Sequence, residues 1–459
     1  MQDDGAAPTL PRGTTAQQVC SNHLMDLPIR FTARKLDLRW KSYGSESKEA
    51  TLNMLTDRFA LIVAKIRAAK ASHTLTERLI HKLKVILYVP LIVSWRYLRL
   101  KHEDRRLPIK AGFADHRIRN GAAQGKDDEI IFDRIRRAYL AAKAAQAMAS
   151  EHFQIRGLWR EWIDAYYGPL VGAVTKGDVK NSLALLENFC REPFATGTGA
   201  SYDEFVRVNT SLFGRIYVKA TWCDYRDKLL DSGYDLSHLS FPMIGNPGGI
   251  PFNNSVIQID TLRHASNALA TCNIVRDVSN PIIAEIGGGF GGQAYQTLSL
   301  AQRLGRPIGK YLDFDIPEVL IVASYFLLKS ISAEKIVLFG EAKISDPFCV
   351  GMFPNFSIDE LTDRSADVIF NSHSFSEMDK FSSLHYLSVV NRVCRKYFFH
   401  INHEHPLEFR EMDGSVSRNV VGSQMEPDLS QFKRLYKSPR LSLRPEDTVT
   451  TFSYLYERL

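Results

Sequence analysis

The chain has no CxxC pair. Its six cysteines, Cys20, Cys190, Cys223, Cys272, Cys349 and Cys394, are scattered over 459 residues. That excludes the common zinc and dithiol motifs and reads as reduced thiols of a cytoplasmic protein. It also has no apolar run of the roughly 18–20 residues that span a bilayer. The longest, VILYVPLIVSW (85–95), is interrupted by Pro90. The start, MQDDGAAPTLPRG, has neither the basic end nor the apolar centre of a secretory signal. Internal repeats and low-complexity tracts are absent. With this length a sizeable core can form without disulfide or metal staples.

An excess of one charge sign is lacking outside a single stretch. The net charge is +7. Between Lys65 and Lys110 stand twelve Lys/Arg against three acids, Glu77, Glu103 and Asp104. The basicity is local, which argues for one basic surface and against a nucleic-acid-coating protein. Residues 78–106 place cationic flanks and Tyr88, Trp95 and Tyr97 around an apolar centre. This composition suits peripheral contact with an anionic membrane, on its inner face. A buried helix with solvated basic ends is the competing reading.

The pattern divides the chain into four parts. Residues 1–45 carry breakers and read as a weakly ordered start. Residues 46–240 read as mainly helical; Ile131, Ile135, Ala138, Ala142 and Ala145 recur at helical spacing, and further helices are expected over 159–173, 178–190 and from about Tyr202. Residues 241–280 form a connecting segment, because FPMIGNPGGIPFNN (241–254) is too rich in Pro, Gly and Asn for a regular element. Residues 281–459 alternate strand and helix. Strands are expected at 281–286, 309–312, 335–339, 367–371 and 397–401, with a closing antiparallel pair at 432–438 and 450–457. The fold class is therefore α/β: a doubly wound, Rossmann-like sheet with a C-terminal antiparallel hairpin behind a mainly helical N-terminal region.

EIGGGFGG (285–292) follows a strand and opens a helix. Its glycines let the backbone turn sharply and approach a ligand. Gly287, Gly289 and Gly292 fit GxGxxG, a pattern open to a dinucleotide or an adenosyl cofactor. Glu285 would repel a pyrophosphate but attract the ammonium and sulfonium of S-adenosylmethionine. Asp313 and Asp315 end the second strand, where a carboxylate can accept from both ribose hydroxyls; Asp315 could instead cap the following helix.

EIGGGFGG, YLDFDIPEVL (311–320), FGEA (339–342) and DVIFNSHSFSEMD (367–379) resemble a bacterial family of sugar O-methyltransferases within the class I S-adenosylmethionine-dependent methyltransferases. IGNPGG (244–249) and NFCREP (188–193) look like features of the same family. The likeness spans about 202–403. It implies S-adenosylmethionine as cofactor and a sugar or glycan acceptor. Glu285, Gly287 and Gly289 would hold the methionine end, Asp315 the ribose, Glu341 the adenine, and Asn371 and Ser372 would lie beside the methyl group; Gly288, in the same loop, and Asp313, from its strand position, are further cofactor-binding candidates.

A sugar hydroxyl attacks well only if its proton is taken as it reacts. His373, at the ligand edge of the sheet, is the expected base, with Glu377 to orient it or bind a hydroxyl. His403, in HINHEHP (400–406), is the alternative. That segment matches no metal motif, so no metal is expected. Two other readings remain open: an NAD(P)-dependent oxidoreductase, and a non-catalytic membrane-associated adaptor that keeps the fold.

Overall fold

A computed structural model describes residues 97–109, 126–194, 211–410, 415–440 and 451–459. The expected weakly ordered start, most of the basic apolar segment 78–106, and the helix start near Tyr202 lie outside these residues.

The sheet is built from short apolar strands. β3 (Ile282–Ile286), β4 (Lys310–Asp315), β5 (Ile336–Leu338), β6 (Val350–Pro354), β7 (Ala366–Ser372) and β8 (Cys394–His403) run parallel. Their near-continuous apolar sequences fit burial on both faces. β11 (Phe432–Pro439) and β12 (Thr451–Arg458) close the sheet, β12 lying antiparallel between β8 and β11. The order is β11-β12-β8-β7-β3-β4-β6-β5. It reverses direction of winding beside β3, so the loops leaving β3 and β7 diverge and open a crevice at the C-terminal edge. The doubly wound α/β sheet with its terminal hairpin is as expected.

α7 (Gly292–Arg303) and α8 (Pro317–Ser330) cover one face. Pro317 starts α8, whose fixed φ suits a first helical turn. Residues 319–328 are buried all round, as an apolar helix without a polar face requires. α8 therefore sits between the sheet and α1 (Lys126–Gln146), with ion pairs Lys143–Glu318 (2.8 Å) and Lys329–Asp128 (2.7 Å) holding the helices in register. The N-terminal helices thus share the sheet's core. They continue as α2 (Gly157–Trp162), a π-helical turn at Ile163–Tyr167, α3 (Gly168–Lys176), α4 (Val179–Leu186) and α5 (Leu212–Asp231). α9 (Lys380–Val393) covers the opposite face, capped by Asp379, which accepts from the Ser382 amide at 3.0 Å.

Three expectations need correction. The connecting segment is largely regular. Asn253 and Asn254 take positive φ (46° and 59°) and turn β1 (Ile250–Phe252) into β2 (Ser255–Ile257), as a two-residue hairpin requires. α6 (Ile259–Ile274) follows and packs along α7. The helix expected over 159–173 is present, within a helical stretch from Gly157 to Lys176 that carries the π turn inside it. β6 was hidden by its glycine: at Gly351 a Cβ would lie 2.3 Å from the Phe353 ring and 2.7 Å from Phe348, so the strand needs the residue that reads as a breaker. Finally, β4 runs on to Asp315, which leaves Asp313 inside the strand and not at its end.

The described part of 78–106 is helical at 97–99 and again over one turn at His102–Arg105. Asp104 there is buried and held by Arg226 of α5 at 2.5 Å. Among the described residues no helix is long and apolar enough to cross a membrane. A small antiparallel pair, β9 (Glu408–Arg410) and β10 (Val416–Arg418), lies beyond β8.

Candidate functional site

The glycine loop leaves β3 at the crevice. Gly287 (φ 76°) and Gly289 (φ 62°) take left-handed backbone that strains a side chain. A Cβ on Gly287 would meet Ser374 Oγ at 2.3 Å, and one on Gly288 would meet the Asp313 carboxylate at 2.3 Å. The loop is thus pressed between β4 and the turn after β7. Phe290, its one bulky residue, packs against Phe189, ring centres 5.6 Å apart. Phe189 belongs to NFCREP, which is clasped to IGNPGG: the Cys190 amide donates to Gly245 O (2.9 Å), and buried Arg191 donates to Asn246 O (3.0 Å) and Oδ1 (2.8 Å). The two distant motifs form one support behind the loop.

Three acids stand beneath or beside it. Period 2 puts Tyr311, Asp313 and Asp315 on one face of β4, and the register sets Asp313 opposite Glu285 of β3. Glu285 is 2% exposed and accepts from the Tyr311 hydroxyl at 2.6 Å. Burial pushes its pKa up, partly offset by that hydroxyl. Asp313 is fully buried with both oxygens lacking a well-formed hydrogen bond, although the Gly288 amide eases its charge from nearby. Burial, then the charges of Glu285 and Asp315, hold its pKa well above the carboxylate range. Asp315 differs. Its Oδ2 accepts from the Gly289 amide (2.8 Å) and its Oδ1 from Ile316 (2.7 Å), and it keeps some exposure at the crevice. Burial raises its pKa against those two amides, and Glu377 adds to the rise.

Asp313 therefore lies under the loop, not at a ribose, and opposes folding when ionised. A raised folded pKa means stability is complete below the unfolded value and drains as pH climbs towards the folded one. Asp313→Asn is expected to be more stable than the parent by about 1–3 kcal/mol at pH 8. The gap should close towards pH 4 in urea unfolding. A variant less stable at pH 8 would refute this account.

β7 ends in a tightly held turn. Asn371 is fully buried; its amide donates to Ile286 O (2.8 Å) and to Ser374 Oγ, while its Oδ1 accepts from Asn402 of β8 (2.8 Å). Asn371 ties the strand ends to the root of the glycine loop. Its functional groups are turned inward, away from the crevice. Ser372 is half-buried at the strand's end. His373 has φ 70° and ψ −36°, a costly conformation for a residue with a Cβ. It is fixed from several sides: its amide donates to Ile401 O (2.8 Å), its carbonyl accepts from the Ser376 amide (3.0 Å), and Asn402 Oδ1 accepts from the same Ser376 amide (3.1 Å). Glu377 ends this turn, half-buried, close enough to Asp315 for its charge to be felt there. α2 packs on the turn and on β9.

Of two further expected residues, Glu341 lies elsewhere and His403, at the end of β8, has one ring nitrogen engaged. β6 sits between β4 and β5, so Glu341 is displaced one strand outward. There it makes a bidentate pair with Arg134 of α1 (2.8 Å for both contacts) and accepts from the Leu338 amide. The edge position next to Asp315 belongs to Pro354, followed by Asn355, whose Oδ1 is buried and without a partner. His403 accepts the His405 amide on Nδ1 (3.2 Å), and burial lowers its pKa to about 4. That lone pair is taken, which suits a donor and not a base. The rest of HINHEHP is structural: His400 stacks on Tyr454 (4.6 Å), and Glu404 is held by Ser423 and Lys437. Among the described residues no three His, Cys, Asp or Glu are grouped to hold a metal.

Tyr311, Ser374, Asn355 and Asn402 were missed in the sequence. Strand period and register would have paired Tyr311 with Glu285; nothing local marks the other three.

No protein-family model matches the chain, and no curated protein matches it. Solved structures with a similar arrangement include the 1,6-didemethyltoxoflavin-N1-methyltransferase of Burkholderia thailandensis, with bound S-adenosylhomocysteine (12% identity, 42% of this chain and 78% of that one, TM-score 0.28). Others are a glycopeptide N-methyltransferase (14%, 43% and 95%, 0.28) and the magnesium protoporphyrin IX methyltransferase of Synechocystis PCC 6803 (9%, 45% and 89%, 0.30). At these TM-scores the likenesses say nothing about activity.

Proposed function

We propose that the chain is an S-adenosylmethionine-dependent O-methyltransferase acting on a sugar or glycan hydroxyl. The observation that carries the reading is the crevice itself: a left-handed glycine turn at β3, an acid at the end of β4 bonded to that turn, and a strained histidine at the end of β7. The residues fit the cofactor. The glycine backbone leaves room no Cβ could share, and Asp315 retains acceptor capacity for a ribose diol beyond the two amides it already binds. Asn355 stands where the adenine edge would be read. A cationic ligand above Glu285 and Asp313 would favour their ionised forms, which burial alone disfavours. Bound S-adenosylmethionine would supply the activated methyl group.

The chain's part is alignment and proton removal. His373, held rigidly at the crevice, would take the hydroxyl proton, and Glu377 would bind or orient beside it. α2 and β9, packed around that turn, frame the acceptor side. The O-methyl and sugar assignments rest on the histidine–glutamate pair and the motif resemblance.

Calorimetric titration tests the cofactor. S-adenosylhomocysteine should bind with micromolar affinity and NADH not at all. The reverse pattern would replace the reading with an oxidoreductase, and silence from both would leave a fold without this chemistry.

A further inference from the structure

At the functional edge of the sheet, beyond His403, the terminal hairpin carries a buried cation. Thr451 pairs with His403 in register, and the Arg440 amide donates to Thr451 O at 2.9 Å, so Arg440 caps β11 at the same edge as the glycine loop. Its side chain is 7% exposed overall. Its recorded side-chain hydrogen bond is from Nη2 to the Arg263 carbonyl at a long 3.4 Å. Arg263 lies on the first turns of α6, paired to Asp260 at 3.0 Å, with its Nε buried and unpartnered. The next residue, His264, packs on Phe290 of the glycine loop. The phenols of Tyr225 and Tyr436 and the ammonium of Lys228 also lie near Arg440. No carboxylate among the described residues pairs with it.

A guanidinium stays protonated in a protein, so it cannot escape burial by losing its charge. Burial pushes the Arg440 pKa down to about 10, still far above neutrality. Three cations gathered against one engaged acid call for an anion. Arg is the side chain best shaped to grip a carboxylate or phosphate by two parallel hydrogen bonds. The hydroxyl of Tyr436 beside it can add a neutral donor.

We propose that Arg440 and Arg263 form an anion subsite that receives a carboxylate or phosphate carried by the acceptor. The acceptor is then an anionic or phosphorylated sugar, and the inference rests on the methyl-transfer reading above. The subsite lies at the acceptor side of the crevice, on the hairpin half of the sheet, away from β4 and β6 where the adenosine would lie.

The test uses the full chain and inorganic phosphate, with Arg440→Gln and the charge-keeping Arg440→Lys. Low-millimolar phosphate should raise the melting temperature of the parent by a few degrees. Arg440→Gln should remove that shift and Arg440→Lys retain part of it. Without phosphate, Arg440→Gln should melt no lower than the parent, since it deletes a buried charge that no carboxylate among the described residues pairs. S-adenosylhomocysteine affinity should change by less than twofold. A phosphate shift that is absent, or unchanged in Arg440→Gln, overturns the subsite. A melting temperature several degrees lower in Arg440→Gln does so too, because it would mean the fold already satisfies the charge. A tenfold loss of S-adenosylhomocysteine affinity would assign the anion to the cofactor's own carboxylate and overturn the acceptor assignment. Failure of the parent to bind S-adenosylhomocysteine would instead count against the transfer reading.

Discussion

Gly287→Val is expected to weaken S-adenosylhomocysteine binding at least about a hundredfold, the equivalent of some 3 kcal/mol. Two independent costs converge at this position. A β-branched residue at φ 76° is forced into a region it scarcely populates. Its Cβ would also fall 2.3 Å from Ser374 Oγ and 2.5 Å from Ser374 Cβ. Ser374 cannot simply rotate away, since its hydroxyl bonds Ile286 O (3.1 Å) and Asn371. Relief must come from moving the loop or the turn, and either movement spoils the crevice. Calorimetry on the variant checks the prediction, with near-ultraviolet circular dichroism to confirm a packed core. Affinity within tenfold of the parent would mean the loop does not carry the cofactor.

The same contact explains which parts of the site were legible. The glycine loop stood out because backbone that needs φ > 0 is most readily written in glycine. Asp315 stood out because strand ends of such sheets face ligands. Register and depth were less visible. Asp313 reads like Asp315, two residues away on the same face, yet β4 continues past it and buries it under Gly288. Glu341 follows a strand as an adenine-side acid should, but β6 was hidden by Gly351 and takes the neighbouring place. Asn371 lies at the expected strand end and faces inward, because only a partner on β8, Asn402, decides where its amide points. Local sequence carries turn chemistry and periodicity; it does not carry which strand inserts beside which. The helical cover was foreseen as helix, but its intimacy with the sheet follows from α8 being apolar on every side, a property of the fold's middle that its flanks must answer.

His373 gives the sharpest separation of fold from function. Replacement by glycine and by alanine removes the imidazole equally, and both are expected to lower kcat by about 10²–10⁴ if it takes the acceptor's proton. Their stabilities should differ. Alanine keeps a Cβ at φ 70°, while glycine accepts that backbone freely. Strain of this kind costs roughly 1–3 kcal/mol, and glycine's extra unfolded-state freedom returns about 0.5–1. Glycine should therefore be the more stable variant by about 1 kcal/mol in urea unfolding. A wild-type turn that holds a side chain against such a cost, with Ile401, Ser376 and Asn402 all enlisted to fix it, is explained if the imidazole must sit at the crevice. Added imidazole should restore part of the activity of His373→Gly, an effect a merely structural side chain would not give. Retention of kcat within threefold in both variants would remove His373 as the base and leave Glu377 as the side chain to test next.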